Sequence, residues 1–136
     1  MTEEHRIIQP EGWLPPSGYA NGVSARGRIV SVAGQTGWNP ATQTFEAHDM
    51  VGQVRRALEN VVAVLRAAGA EPRDLVRLTW YVVERKEYEQ RRREIGEAYR
   101  AVIGRHYPAM SLVIVAGLLE PLALVEIEAT AVIADA

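Results

Sequence analysis

Apolar residues recur along this chain with two periods, and the change of period marks the change of element. Over residues 49–68, Val51, Val54, Leu58, Val61, Leu65 and Ala68 follow at three- and four-residue steps, which predicts an amphipathic helix. Asp49 suits its N-cap, Gly69 the left-handed position after its end, and Pro72 bars continuation. Over residues 75–83 the period falls to two. Val76, Leu78, Trp80 and Val82 make an apolar face and Arg77, Thr79 and Tyr81 a more polar one, the pattern of a strand. Helical spacing returns over residues 86–105, with Tyr88, Ile95, Tyr99 and Val102 along one side and Arg91, Arg92, Arg93 and Arg100 largely off it, before Pro108 breaks the run. Residues 19–25 and 28–33 read as a hairpin turning at Arg26-Gly27, and 110–116 and 122–133 as two last strands joined by a turn at Leu119-Glu120-Pro121. Pro10, Gly12, Pro15 and Pro16 make residues 9–17 an irregular lead-in. A loop opens at Asn39-Pro40, after Gly34-Gln35-Thr36-Gly37.

Two helices cover one face of a sheet, so in a monomer the other face should alternate to polar residues. Ile29, Val30, Val32 and Ala33 depart from that rule, as do Leu112, Val113, Ile114 and Val115: both runs place apolar side chains on both faces. Each such side chain left in water forgoes ~1.5–3 kcal/mol. Contiguous patches of this kind mark interfaces, which predicts a closed homo-oligomer built on the uncovered sheet face. The alternative is a sheet covered on both sides by the chain's own loops.

Composition narrows the class. A chain of 136 residues, 48% apolar and 24% charged, fits one globular domain over residues 1–136. A formal net charge of -2 gives no general attraction to phosphate backbones or anionic lipid, so neither nucleic acid nor membrane is an expected partner. The absence of cysteine excludes disulfides, thiolate metal sites and a cysteine nucleophile, and fits a reducing compartment. Glu3, Glu4 and Arg6 stand where a secretory signal would be apolar, and the apolar run at 112–119 is far short of the ~20 residues of a membrane span, so the chain reads as soluble and cytoplasmic. His5, His48 and His106 have no metal-ligand spacing, and no phosphate loop, dinucleotide fingerprint or nucleophile elbow occurs. Arg91-Arg92-Arg93 is interleaved with Glu87, Glu89, Glu94 and Glu97, the pattern of a solvated helix face.

Candidate chemistry gathers on the strands. Glu126 and Glu128, two apart, share one face while Val125, Ile127, Ala129 and Ala131 take the other. They are either a general base and its neighbour or a solvated, ion-paired strand face. Arg77, beside Thr79 and Tyr81, has two uses: a positive charge for a ligand, or, the favoured one, an ion pair with Glu126 or Glu128.

Five pieces in order, Ser17-Gly18-Tyr19, Val32-Ala33-Gly34-Gln35, Ala67-Ala68-Gly69, Tyr107-Pro108-Ala109 and Val125-Glu126-Ile127-Glu128-Ala129, resemble the RidA (YjgF) reactive-intermediate deaminase family over nearly the whole chain. The resemblance implies an α+β, chorismate-mutase-like fold, a mixed sheet with two helices on one face, in a homotrimer whose sheets form the inner barrel and whose ligand clefts lie between subunits. It also implies hydrolysis of enamines and imines to the 2-oxo acid and ammonia, with no metal and no bound cofactor. By the same likeness Glu126 positions or deprotonates a water and Tyr19 orients the ligand, while Gly34, Ala33 and the backbone N–H groups near Ser111 and Leu112 line the cleft.

Two positions depart from the family pattern. Met110 stands where such members carry an arginine that grips the substrate carboxylate in two places, and Ala33 where they often carry serine. A thioether cannot replace a guanidinium fork, so the cleft is expected to take a small imine, enamine or related metabolite other than the usual 2-imino acids. A trimer that binds a metabolite or partner without catalysis is the alternative reading. A family-associated endoribonuclease activity ranks third, against the acidic balance and the lack of a catalytic histidine pair.

Overall fold

The computed structural model describes residues 5–135; Glu3 and Glu4, whose charges argue above against a secretory signal, lie outside them. The elements are β1 (His5–Ile8), β2 (Gly22–Ala25), β3 (Gly27–Thr36), α1 (Met50–Ala67), β4 (Leu75–Val82), α2 (Arg85–Gln90), α3 (Arg92–Val102), β5 (Ala109–Ile114) and β6 (Val125–Ala134), with a 3-10 turn at Pro72–Asp74 before β4. The first helix is where its periodicity puts it. The Asp49 side chain accepts from the Gly52 N–H, and Gly69, at φ 84°, turns the chain so that the Ala70 N–H donates to the Leu65 carbonyl.

β3, β6, β4 and β5 form a mixed sheet in that order, with β4–β5 parallel and both pairings of β6 antiparallel. The predicted hairpin is absent. β2 pairs with β1 in a separate two-stranded sheet, while β3 pairs with β6, Gly27 opposite Ala134. Gly27 serves close approach, not reversal: at φ 149° it runs against the Ile133 backbone, and a Cβ there would overlap the Ile133 carbonyl. The second predicted helix is two, broken at Arg91 (φ -111°, ψ 17°), and it ends at Val102, ahead of Gly104 at φ 93°.

α1 and α3 lie on one sheet face. Leu58, Val61 and Leu65 of α1 and Ile95 and Tyr99 of α3 bury Val30 and Val32 of β3, Leu78, Trp80 and Val82 of β4, and Val125, Ile127 and Ala129 of β6. The opposite face carries Arg77, Thr79 and Tyr81 on β4 and Glu126, Glu128 and Thr130 on β6, cross-strand neighbours in register. The expectation of a broadly apolar second face is thereby corrected: its centre is polar, and its large exposed apolar side chains stand on the outer strands, Ile29 on β3 and Val113 on β5. Two wholly or nearly buried amides brace the loops around this frame. Gln53 donates to the Ala47 and Leu122 carbonyls and accepts from the Leu124 N–H, and Asn60 donates to the Thr36 and Trp38 carbonyls. Among the described residues no helix is long and apolar enough to cross a membrane.

Candidate functional site

Strand register divides the expected site residues between the two faces of the sheet. Met110 and Leu112 of β5 are level with Leu78 and Trp80 of β4, on the side of the helices, whereas Ser111 is level with Thr79 on the open side. Glu126 is level with Tyr81, also on the open side. One chain therefore does not bring Met110 and Glu126 around a single ligand.

On the helix side lies a hollow of about 560 Å³. The lead-in reaches it because the Ala20 N–H donates to the Pro108 carbonyl at 3.0 Å and Ala20 bridges Ala109, which sets Tyr19 beside Met110. Its aromatic wall is a stack: Trp80 and Tyr99 have ring centroids 6.3 Å apart, Tyr99 and Tyr107 5.4 Å apart and nearly parallel. The Tyr99 hydroxyl donates to the His106 carbonyl at 2.6 Å, and burial, with Tyr107 alongside, pushes its pKa well up, so it stays a neutral fixture. Tyr88, Arg92, Ile95, Gly96 and Arg100 close the hollow from α2 and α3.

On the open side Gly34 and Glu126 meet. The β3–β6 register slips between Val32 and Gln35, which places Ala33 and Gly34 in an irregularity of the strand. The Glu126 carboxylate occupies the space over Gly34: a Cβ at residue 34 would fall 2.8 Å from the carboxyl carbon and overlap one oxygen. Tyr81 is the neighbour across the ladder. Desolvation first, then the Glu128 and Glu126 carboxylates, raise its pKa, so the phenol keeps its proton.

Arg77 shares this face but not the expected ion pair. It stands opposite Thr130, one side-chain step from Glu128 and two from Glu126, and neither carboxylate is within 4.0 Å. The Arg91–Arg93 run is likewise resolved one residue at a time. Arg91 pairs with Glu94 and Arg93 with Glu97, as a solvated helix face does, while Arg92 turns to the hollow with Arg100. Sequence spacing sets both largely off the side that carries Tyr88, Ile95 and Tyr99; in the structure they border it. The signal was present in the four-residue steps Arg92, Gly96, Arg100, which run beside that apolar stripe. Among the described residues no group of three or more His, Cys, Asp or Glu side chains is disposed to hold a metal.

A family profile described as endoribonuclease L-PSP matches residues 13–133. The chain belongs to the RidA (YjgF) family. The 2-iminobutanoate/2-iminopropanoate deaminase of Escherichia coli is 34% identical over 84% of this chain and 86% of its own. Among solved RidA relatives, the Rid family protein YyfB of Yersinia pestis, of unknown function, superposes with a TM-score of 0.83 at 36% identity, covering 96% of this chain and 99% of that one. The E. coli protein TdcF, solved with bound serine, superposes at 0.69 with 32% identity over 95% of this chain and 99% of its own. The α+β architecture expected from the family likeness, a mixed sheet backed by helices, is thus the observed one.

Proposed function

We propose that this RidA family member assembles as a homotrimer whose intersubunit clefts hydrolyse a small imine or enamine, not one of the usual 2-imino acids. The observation that carries the reading is the seating of the Glu126 carboxylate on Gly34, where the family motif and the slip in β3 coincide. Met110 with Tyr19 on one sheet face, and Glu126 with Gly34 on the other, are half-sites that a second copy would complete. The deaminase relative lends the reaction class.

In that reaction water adds to the imine carbon while Glu126 accepts its proton. Glu126 returns that proton to the nitrogen, and the carbinolamine passes its hydroxyl proton to the departing nitrogen as it collapses to the carbonyl product and ammonia. Tyr19 orients the ligand, Ala33 and Gly34 let backbone come close to it, and the strand N–H groups around Ser111 and Leu112 polarise it. Arg77, unpaired with either carboxylate, is free to attract a charged substrate towards the open face.

Met110 limits the substrate. A carboxylate buried there without its guanidinium partner loses ~3–5 kcal/mol, on the order of a hundredfold or more in affinity. The same residue favours a second reading, a trimer that binds a metabolite or partner and does no chemistry. Assays that follow ammonia release from small imines separate the two. Glu126→Gln should lower kcat by about 10²- to 10⁴-fold with binding retained, and Met110→Arg should create turnover of 2-imino acids. Unchanged turnover in Glu126→Gln would remove the proposed base; a bound metabolite with no reaction in any variant would leave the binding role.

A further inference from the structure

We propose that Arg92 and Arg100 hold the acidic group of an organic anion whose flat, unsaturated or aromatic body lies in the hollow between α3 and β5. This deepens the reading above by naming the ligand class of the same cleft, and rests on it only in taking the hollow as one wall of that cleft.

Pairing separates these two arginines from the others of their region. Arg85 reaches Glu89 at 3.5 Å, Arg91 reaches Glu94 at 3.2 Å and Arg93 reaches Glu97 at 3.8 Å, each along its own helix. Arg92 and Arg100 have no carboxylate within 4.0 Å among the described residues, and both line the hollow. Gly96, between them, is a helix-interior glycine, a residue disfavoured there relative to alanine. A Cβ there would press on the Arg100 guanidinium at 3.3 Å, a tight contact with the end of a flexible side chain. The missing side chain leaves that guanidinium room to lie along α3 at the mouth of the hollow. Arg92 stands one turn before Gly96 on the same stripe of α3. Burial raises the Tyr88 pKa and the nearby Arg92 charge opposes the rise, which places the guanidinium within electrostatic reach of that hydroxyl.

The walls define the body of the ligand. The Trp80–Tyr99–Tyr107 stack and Ile95 favour a flat apolar surface, against which the Met110 thioether also packs. At about 560 Å³ the hollow would be mostly empty around a three- or four-carbon acid. The Trp80 indole N–H is buried and has no hydrogen-bond partner within the chain. The anion contact that the strand forgoes at Met110 is in this way supplied from the helix, farther from the sheet, which suits a longer acid.

The full chain is titrated with trans-cinnamate, with cinnamamide as its neutral counterpart and acetate as the anion without a body. Side-chain N–H resonances of Trp80, Arg92 and Arg100 are followed together with calorimetry. Cinnamate should bind at least tenfold more tightly than either control, and Arg92→Gln and Arg100→Gln should each weaken it about tenfold with the thermal midpoint unchanged. The proposal is overturned by cinnamamide binding as well as cinnamate, by no cinnamate binding, or by indifference to both substitutions. Cinnamate binding without imine turnover would leave this inference standing and remove the hydrolytic reading; imine turnover untouched in the double arginine variant, with no cinnamate binding, would do the reverse.

Discussion

Gly34 is the residue at which backbone geometry and the proposed chemistry are hardest to separate. It has no unusual φ to satisfy, so the constraint on it is space for the Glu126 carboxylate alone. Gly34→Ala should therefore cost little stability, because the obstructed group is the end of a flexible side chain that can swing away. Turnover depends on where that end sits, and a displacement of about 1 Å can cost on the order of a hundredfold. The expected outcome is a melting temperature within about 2 °C of wild type with kcat reduced at least tenfold, accompanied by a shift of the Glu126 carboxyl carbon resonance. A large loss of melting temperature with kcat per folded molecule unchanged would make Gly34 a folding residue and nothing more. The serine-to-alanine departure at residue 33 is gentler, since Ala33 stays exposed and removes only a hydroxyl.

At the scale of elements, what periodicity could read it read well. α1 was legible to its caps because burial, capping and the terminal glycine agree. β4 was legible because Leu78, Trp80 and Val82 of its apolar face are buried, but Val76 was misplaced: across the register shift between Leu75 and Arg77, Leu75 takes the buried place. The Arg26-Gly27 pair was misread because a glycine that permits a turn and a glycine that permits contact look alike in sequence, and here β6 passes against it. The second helix was read as one because no sequence rule marks the break at Arg91, and as too long because Gly104, a helix stop, was passed over. Least legible were the polar residues inside the fold. Gln53 falls between Val51 and Val54 and interrupts no pattern, yet it is fully buried and ties α1 to the loops at Ala47, Leu122 and Leu124. Gln53→Leu keeps the volume and strands one N–H and two carbonyls, so it should cost about 3 kcal/mol in denaturant unfolding, with faster amide exchange at Leu124. A change below about 1 kcal/mol would mean that water replaces the amide without loss.

The whole molecule turns on how its open sheet face is covered. A polar centre of Arg77, Tyr81, Glu126 and Glu128 is flanked by apolar margins, Ile29 at 68% exposure on one outer strand and Val113 at 42% on the other. That distribution suits neighbours that meet at the margins of the sheet and leave its middle to water or ligand, a different arrangement from one continuous greasy surface. In the proposed trimer, contact between the β3 margin of one copy and the β5 margin of the next would carry Gly34 and Glu126 towards a neighbour's Tyr19 and Met110. Sedimentation at low micromolar concentration should give about three times the 15.0 kDa chain mass. Ile29→Lys with Val113→Lys sets like charges on the two margins, so it should return the single-chain mass and abolish turnover while the far-ultraviolet dichroism is kept. Loss of turnover with assembly intact would place these residues in the reaction instead of the contact. A wild-type protein sedimenting at one chain mass would leave the two half-sites unjoined, and the cleft hydrolysis with them.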